Sequence, residues 1–192
     1  MRKDLGERKK KIMGILMGIV MFGSLFTFVF FGFSGSSTGR ITHNGFEFIN
    51  RGTHWSTEVG GIPAFFTYFP SDLGFIFVDL DVINSLKNAV QIDFTSEFND
   101  TASQSISLAA FNMDLTLKNF NVFVRQGFTT QQQNFLVIKC EEATNFVPVI
   151  YFKSSNITKV DLNNNCITVE ASTPQDFERI KDRLVYGILG II

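Results

Sequence analysis

The chain has only two histidines, two cysteines, one tryptophan and four prolines among its 192 residues. So few imidazoles and thiols exclude a rich metal site or a set of metal clusters. Charged residues make up 18% of the chain, too few for a coiled coil or a basic nucleic-acid binder. There is no cysteine near a histidine in sequence, no CxxC pair and no internal repeat. The Gly60-Gly61 pair lacks the loop-to-helix setting and the lysine that phosphate cradles use. These gaps leave the reading without a cofactor and without a recognisable catalytic constellation. An apolar content of 45% in turn excludes a disordered chain.

Charge is unevenly placed. Residues 1–11, MRKDLGERKKK, hold six of the 17 basic and two of the 18 acidic residues, a net of +4 that leaves −5 for the rest. From Ile12 to Gly39 there is no charge at all. Within that stretch Ile12–Phe33 is 22 residues long, about 33 Å as a helix, against a hydrocarbon core of about 30 Å. Thirteen of the 22 are Ile, Leu, Val or Phe, which favours insertion by about 4 to 8 kcal/mol. A cleaved signal peptide is the competing reading, with a cut near Ser34. Its apolar core is about 7–15 residues, shorter than this one. Lys9, Lys10 and Lys11 precede the span, so the positive-inside rule puts the N-terminus in the cytoplasm and the remainder outside. Gly14 and Gly18 form a GxxxG pair, a candidate helix–helix seam for a homodimer.

The expected organisation is a basic cytoplasmic head (1–11), a transmembrane helix (12–33), a linker (34–40) and an extracytoplasmic α+β domain (41–192). The linker SGSSTG is short and flexible. From Ile41 the pattern has period two. Phe46 and Phe48, then Trp55, Thr57 and Val59, then Ala64–Phe69 alternate between turns at Asn50-Arg51-Gly52 and Gly60-Gly61. That predicts an antiparallel meander. Phe75–Val78 and Val90–Thr95 read as strands on either side of one or two helical turns within 82–90. Apolar residues at 102, 106, 109, 113 and 117 share one face of a helix near the middle of the domain. Val122–Val124, Phe135–Lys139 and Val147–Phe152 read as strands, and Asn163-Asn164-Asn165 joins Thr158–Leu162 to Cys166–Glu170 in a hairpin. The resulting fold class is α+β with a mostly antiparallel sheet.

The last element carries the strongest signals. Thr173 is an N-cap, Pro174 suits the first helical position and Asp176 completes a capping box. Phe177, Ile180, Leu184, Ile188 and Ile191 form an apolar stripe, and Arg179, Lys181 and Arg183 follow the acidic residues in the order the helix dipole favours. This C-terminal amphipathic helix closes the core, or meets a partner or the membrane surface with its apolar end.

Several side chains are candidates for chemistry or contact. Cys140 and Cys166, in an oxidising exterior, point to a disulfide, with two buried free thiols as the other reading. His43 and His54 flank the first strands and would need an acidic neighbour to hold a metal, with surface imidazoles the plainer reading. Asp79, Asp81 and Asp93 are the nearest approach to a carboxylate cluster. Asn99 and Asn156 head Asn-x-Thr triplets and are candidate glycosylation acceptors. Phe65, Phe66, Tyr68 and Phe69 are a candidate aromatic interaction strip for a partner or carbohydrate, against the plainer reading of a Phe-rich core. The acidic exterior argues against nucleic acid.

The stretches VIKCEEA, VPVIYF, NNNCITVEA and DRLVYGILGI, behind a basic head and a single span, resemble a group of uncharacterised archaeal single-pass membrane-anchored proteins. The likeness rests on Cys140, Cys166, Tyr186, Gly190 and Ile191 and covers chiefly the last 60 residues or so. It implies an extracytoplasmic α+β domain and brings no activity with it. The sequence as a whole predicts a membrane-anchored binding or scaffolding protein, a non-catalytic subunit of a membrane or cell-surface assembly. Its partners would be the lipid bilayer through residues 12–33 and another membrane or surface protein. Two alternatives stand beside this. One is a pilin-like filament subunit, against which Gly14 follows Ile-Met rather than a basic residue. The other is an anchored hydrolase built on scattered carboxylates.

Overall fold

A computed structural model describes residues 39–192, together with Met13 and Met17. The basic head, the expected span Ile12–Phe33, the Gly14/Gly18 seam and most of the linker lie outside the described residues. Among the described residues no helix is long and apolar enough to cross a membrane. Residues Arg40–Ile192 form one compact unit.

That unit is α+β. Its first part is the predicted meander: β1 (Arg40–His43), β2 (Phe46–Asn50), β3 (Trp55–Val59) and β4 (Ile62–Phe66), antiparallel and in chain order. Two-residue turns join β1 to β2 at Asn44-Gly45 and β3 to β4 at Gly60-Gly61, with φ positive at all four positions. Asn and Gly tolerate that conformation, which matches the twist of the flanking strands. β4 stops at Phe66, three residues short of the expected strand end at Phe69, and Pro70–Leu73 forms a 3-10 turn instead.

The second part departs from expectation. Helix α1 (Leu80–Lys87) leads into β5 (Gln91–Ser96), α2 (Ser103–Leu117) and β6 (Phe123–Phe128). β7 (Val149–Ser154), β8 (Lys159–Asn163), β9 (Cys166–Ala171) and α3 (Pro174–Ile188) complete the chain. The five strands order as β6-β5-β7-β9-β8. β5 pairs in parallel with both β6 and β7, and β7 pairs in parallel with β9. Only the β8–β9 hairpin is antiparallel. The expectation of a mostly antiparallel sheet is therefore corrected for this half. Apolar alternation reveals a strand but not its pairing direction. That direction is set by the long crossovers, one through α2 and one through residues 129–148. The expected strand at Phe75–Val78 is irregular chain, although Ile76 and Val78 are buried. Phe135–Lys139 supplies only a single bridge, Val137 to Phe128.

Helix α3 is buried on two sides. Phe177 faces the five-stranded sheet, 5.6 Å from Phe152 between ring centroids, and Ile180 and Leu184 are wholly buried. Tyr186 faces the meander, stacked 3.9 Å from Phe66, and its hydroxyl donates to the Tyr68 carbonyl at 2.7 Å. The capping box at Thr173 and Asp176 forms as the sequence predicts. The cysteines also pair as expected: a Cys140–Cys166 disulfide pins the 129–148 connection to the start of β9. Ile138 and Val149 pack beside it on the sheet face opposite α3.

Two stability consequences follow from this packing. A Cβ at Gly187 would sit 2.4 Å from Ile83 Cδ1, so α1 reaches α3 only because position 187 has no side chain. Gly187→Ala is expected to lower stability by about 1–3 kcal/mol in denaturant titration, despite the better helix propensity of alanine. Replacing both cysteines by alanine reopens a loop spanning 26 positions. The chain-entropy model gives a loss of about 3.5 kcal/mol, read as a lower melting temperature without loss of the cooperative transition.

Candidate functional site

Open α/β sheets bind ligands at the carboxyl ends of their parallel strands. Here that edge is occupied by the chain's own carboxylates. Asp100, after β5, accepts the Ser154 N–H at 2.8 Å, the Ala102 N–H at 2.7 Å and the Ser154 hydroxyl. Burial raises its carboxyl, and these three hydrogen bonds outweigh that and hold it below the ordinary value. Asp176 does the same at the start of α3, taking the Thr173 hydroxyl at 2.8 Å, Thr158 at 3.0 Å and Arg179 at 3.0 Å. The positive ends of α2 and α3 are thus neutralised from within. A crevice of about 330 Å³ lies between them, lined by Thr101, Ser154 and Thr173. It offers hydroxyls and two nearby negative charges, which disfavours an anionic ligand. Asn99 and Asn156 are both exposed, Asn156 on the wall of this crevice and Asn99 next to Asp100.

The stronger candidate lies between the meander, α2 and α3. A cleft of about 370 Å³ has an apolar wall of Phe65 and Phe66 from β4 and Leu115 from α2. Thr67, Asn112, Thr116 and Lys181 supply its polar groups, and His54 stands at its edge. Lys181 is 2% exposed. Its ammonium reaches Glu178 at 3.2 Å and also pairs with Asp182. Asp182 is wholly buried, and its Oδ2 accepts the backbone N–H groups of Thr67 and Tyr68, each at 2.8 Å. Burial pushes the Asp182 carboxyl up, against the pull of Lys181 and the Tyr68 N–H. Glu178 accepts from the Asn112 amide at 2.9 Å, tying α3 to α2. Two carboxylates and one ammonium give the floor a formal charge of −1, with each ionic group held by a neighbour. Such a floor repels anions, while the apolar wall suits a neutral apolar group.

The predicted residues distribute unevenly around this cleft. The aromatic strip does not form one exposed surface. Phe66 and Phe69 are 2% and 8% exposed, Tyr68 is half-buried, and only Phe65, at 46%, faces outward. Strand alternation causes this, since neighbours along β4 point to opposite faces. His43 and His54 sit at opposite ends of β2, edge-on to Phe69 and Phe65 respectively, and do not face each other. Asp79 and Asp81 start α1, whereas Asp93 lies inside the sheet and takes Arg125 Nε at 2.9 Å. Among the described residues no three His, Cys, Asp or Glu side chains converge on a metal-sized site.

Lys181, Asp182 and Glu178 escaped the sequence reading, which assigned Lys181 to the helix dipole. A signal was there. Lys181 is four residues from Phe177 and three from Leu184, so it falls within the apolar arc of α3 rather than on its solvent face. Tyr186 and Ile191 prove structural, the Ile191 N–H closing the helix end onto the Tyr186 carbonyl at 2.9 Å.

Lys181→Met leaves Glu178 and Asp182 in place without their shared cation. Stability at pH 7 is expected to fall by about 3–5 kcal/mol. The pull that opposed burial is then gone, so the folded variant holds protons that its unfolded chain releases above about pH 4. Its stability therefore rises as pH falls from 7 to 5, whereas the loss would be independent of pH if the ion pairs were immaterial. Denaturant titration at the two pH values measures this. Comparison with protein-family models, with curated proteins and with solved structures finds no match to this chain.

Proposed function

We propose that the chain is a single-pass membrane protein whose exterior α+β domain binds and scaffolds, as a non-catalytic subunit of a membrane or cell-surface assembly. One observation carries the binding part of this reading. The cleft floor has its charges bound internally, while its rim presents Phe65 and Leu115, 46% and 44% exposed, as an apolar contact surface. An ammonium tied to two carboxylates is not a free amine nucleophile. Exposed apolar side chains rimmed by polar groups instead mark a surface for contact with another molecule. The anchoring part is supported by the sequence of residues 12–33 and the basic head before it.

The reading has two separable tests on the full chain in its own membrane. Alkaline carbonate is expected to leave the protein in the pellet, and protease added outside intact cells to remove residues 40–192. Release by carbonate, or protection from the protease, would remove the anchor or its orientation. A photo-reactive side chain at position 65 is expected to capture one recurrent species. Leu115→Asp should reduce that capture about tenfold while the domain still melts cooperatively, and capture that survives the substitution would place binding elsewhere.

A further inference from the structure

Asp100 and Asp176 fill the carboxyl edge of the sheet beside β7 and β9. Over β5 and β6 the same edge opens instead into a cavity of about 180 Å³ lined by no charged side chain. Its walls are Phe94 and Phe128 from the sheet, Ile106 and Ala110 from α2, and Phe135. The sequence makes this space with small residues. Ala110 presents only a methyl group where α2 passes over the strands. Gly127 has no room for a Cβ, which would sit 2.5 Å from the Leu136 carbonyl oxygen. The bare backbone there lets the Phe128 N–H donate to that oxygen at 2.9 Å. Phe135 is thereby held edge-on to Phe128, 5.3 Å between ring centroids.

One buried polar group points into this apolar lining. Strand alternation sets Ser96 on the same side of β5 as Phe94 and opposite to Thr95. The Thr95 hydroxyl, on the other face, donates to the Ile138 carbonyl at 2.9 Å. Ser96 is 6% exposed, and its hydroxyl has no hydrogen-bond partner among the described residues. Every enclosed polar side-chain atom among those residues has one, so the Ser96 hydroxyl opens on the cavity that it lines. A hydroxyl both donates and accepts, and one held out of water forgoes a bond that a guest in the cavity can supply. Ser107 and Gln126, both exposed, are the other polar groups of the lining.

We infer that this cavity binds a small uncharged ligand, a single aromatic ring carrying a hydroxyl, with that hydroxyl seated on Ser96. Size sets the upper limit. An apolar cavity of about 150 Å³ accommodates benzene, so about 180 Å³ takes one ring and a short substituent. Charge sets the second limit. An ionised group would enter without a counter-charge in the lining and would lose its hydration. The walls select the ring, since Phe128 and Phe135 already pack edge-on and leave ring surfaces for a third aromatic group. The place agrees with the general rule that open α/β sheets take ligands at the carboxyl ends of parallel strands. This site shares no residue with the cleft at Phe65 and needs no membrane anchor.

Titration of the full chain with phenol, followed by ligand-observed NMR, tests this. Phenol is expected to saturate the chain with a Kd of about 1 mM or tighter. Toluene, with a methyl group in place of the hydroxyl, should bind about tenfold more weakly. Ser96→Ala should weaken phenol about tenfold and leave toluene within about twofold, which erases the preference. Benzoate, of similar size but charged, should bind at least about tenfold more weakly than phenol. Ala110→Leu fills the cavity and should abolish saturable binding of phenol and toluene alike. If that chain no longer melts cooperatively, Phe135→Ala takes its place. Position 135 is 55% exposed, and loss of its ring should weaken both ligands about fivefold. Uptake into lipid or detergent does not saturate, and it is the same in every variant. Uptake of that kind alone would overturn the inference. So would binding that survives Ala110→Leu in a folded chain or Phe135→Ala, a preference for phenol that survives Ser96→Ala, or benzoate bound as tightly as phenol.

Discussion

The Asp182 carboxylate is the interaction on which the domain's assembly turns. One of its oxygens accepts two successive backbone N–H groups, Thr67 and Tyr68, just past the end of β4. The other meets Lys181. A buried N–H without an acceptor costs about 1–3 kcal/mol, so α3 completes the backbone hydrogen bonding of the meander where the strand ladder stops. The stack of Tyr186 on Phe66 and the Tyr186 hydroxyl on the Tyr68 carbonyl sit within the same turn of α3. Together they fix the meander to a helix whose other side is already committed to the five-stranded sheet.

That double commitment shapes what the surface offers. Charges drawn into the seam are absorbed by one another: Lys181 by Glu178 and Asp182, Glu178 also by Asn112. Contact with other molecules passes to the apolar groups left at the rim. Phe65 points away from Phe66 because strand neighbours alternate, and Leu115 points away from Met113 and Leu117 because they lie on the other side of α2. The cleft and the outer side of α2 thus share one edge.

The opposite edge of the five-stranded sheet follows another logic. Where an open α/β sheet leaves helix N-termini free for anions, this chain sets Asp100 and Asp176 against them. The hydroxyls of Thr101, Ser154, Ser172 and Thr158 join the same network. Those hydrogen bonds hold both carboxyls low, so their stabilisation is present above the ordinary carboxylate range and is lost as pH falls below it. Asn99 and Asn156 lie along this polar edge, well separated in character from the apolar rim at Leu115.

The sequence by itself determined the elements whose signals are local. The meander is written in period-two alternation and in Asn-Gly and Gly-Gly turns. The last helix is written in Thr173, Pro174 and Asp176, whereas the two cysteines left a disulfide and a pair of free thiols both open until the fold brought them together. Tertiary structure decided the rest because the deciding contacts join residues far apart in the chain. Parallel pairing of β5, β6, β7 and β9 comes from crossovers that alternation does not encode. Burial of Lys181 needs Thr67 and Tyr68, more than a hundred positions away, to engage Asp182 beside it. The outward face of α2 likewise became visible only when its inner face found the sheet, since a helix apolar on both sides does not reveal in sequence which side is left for a partner.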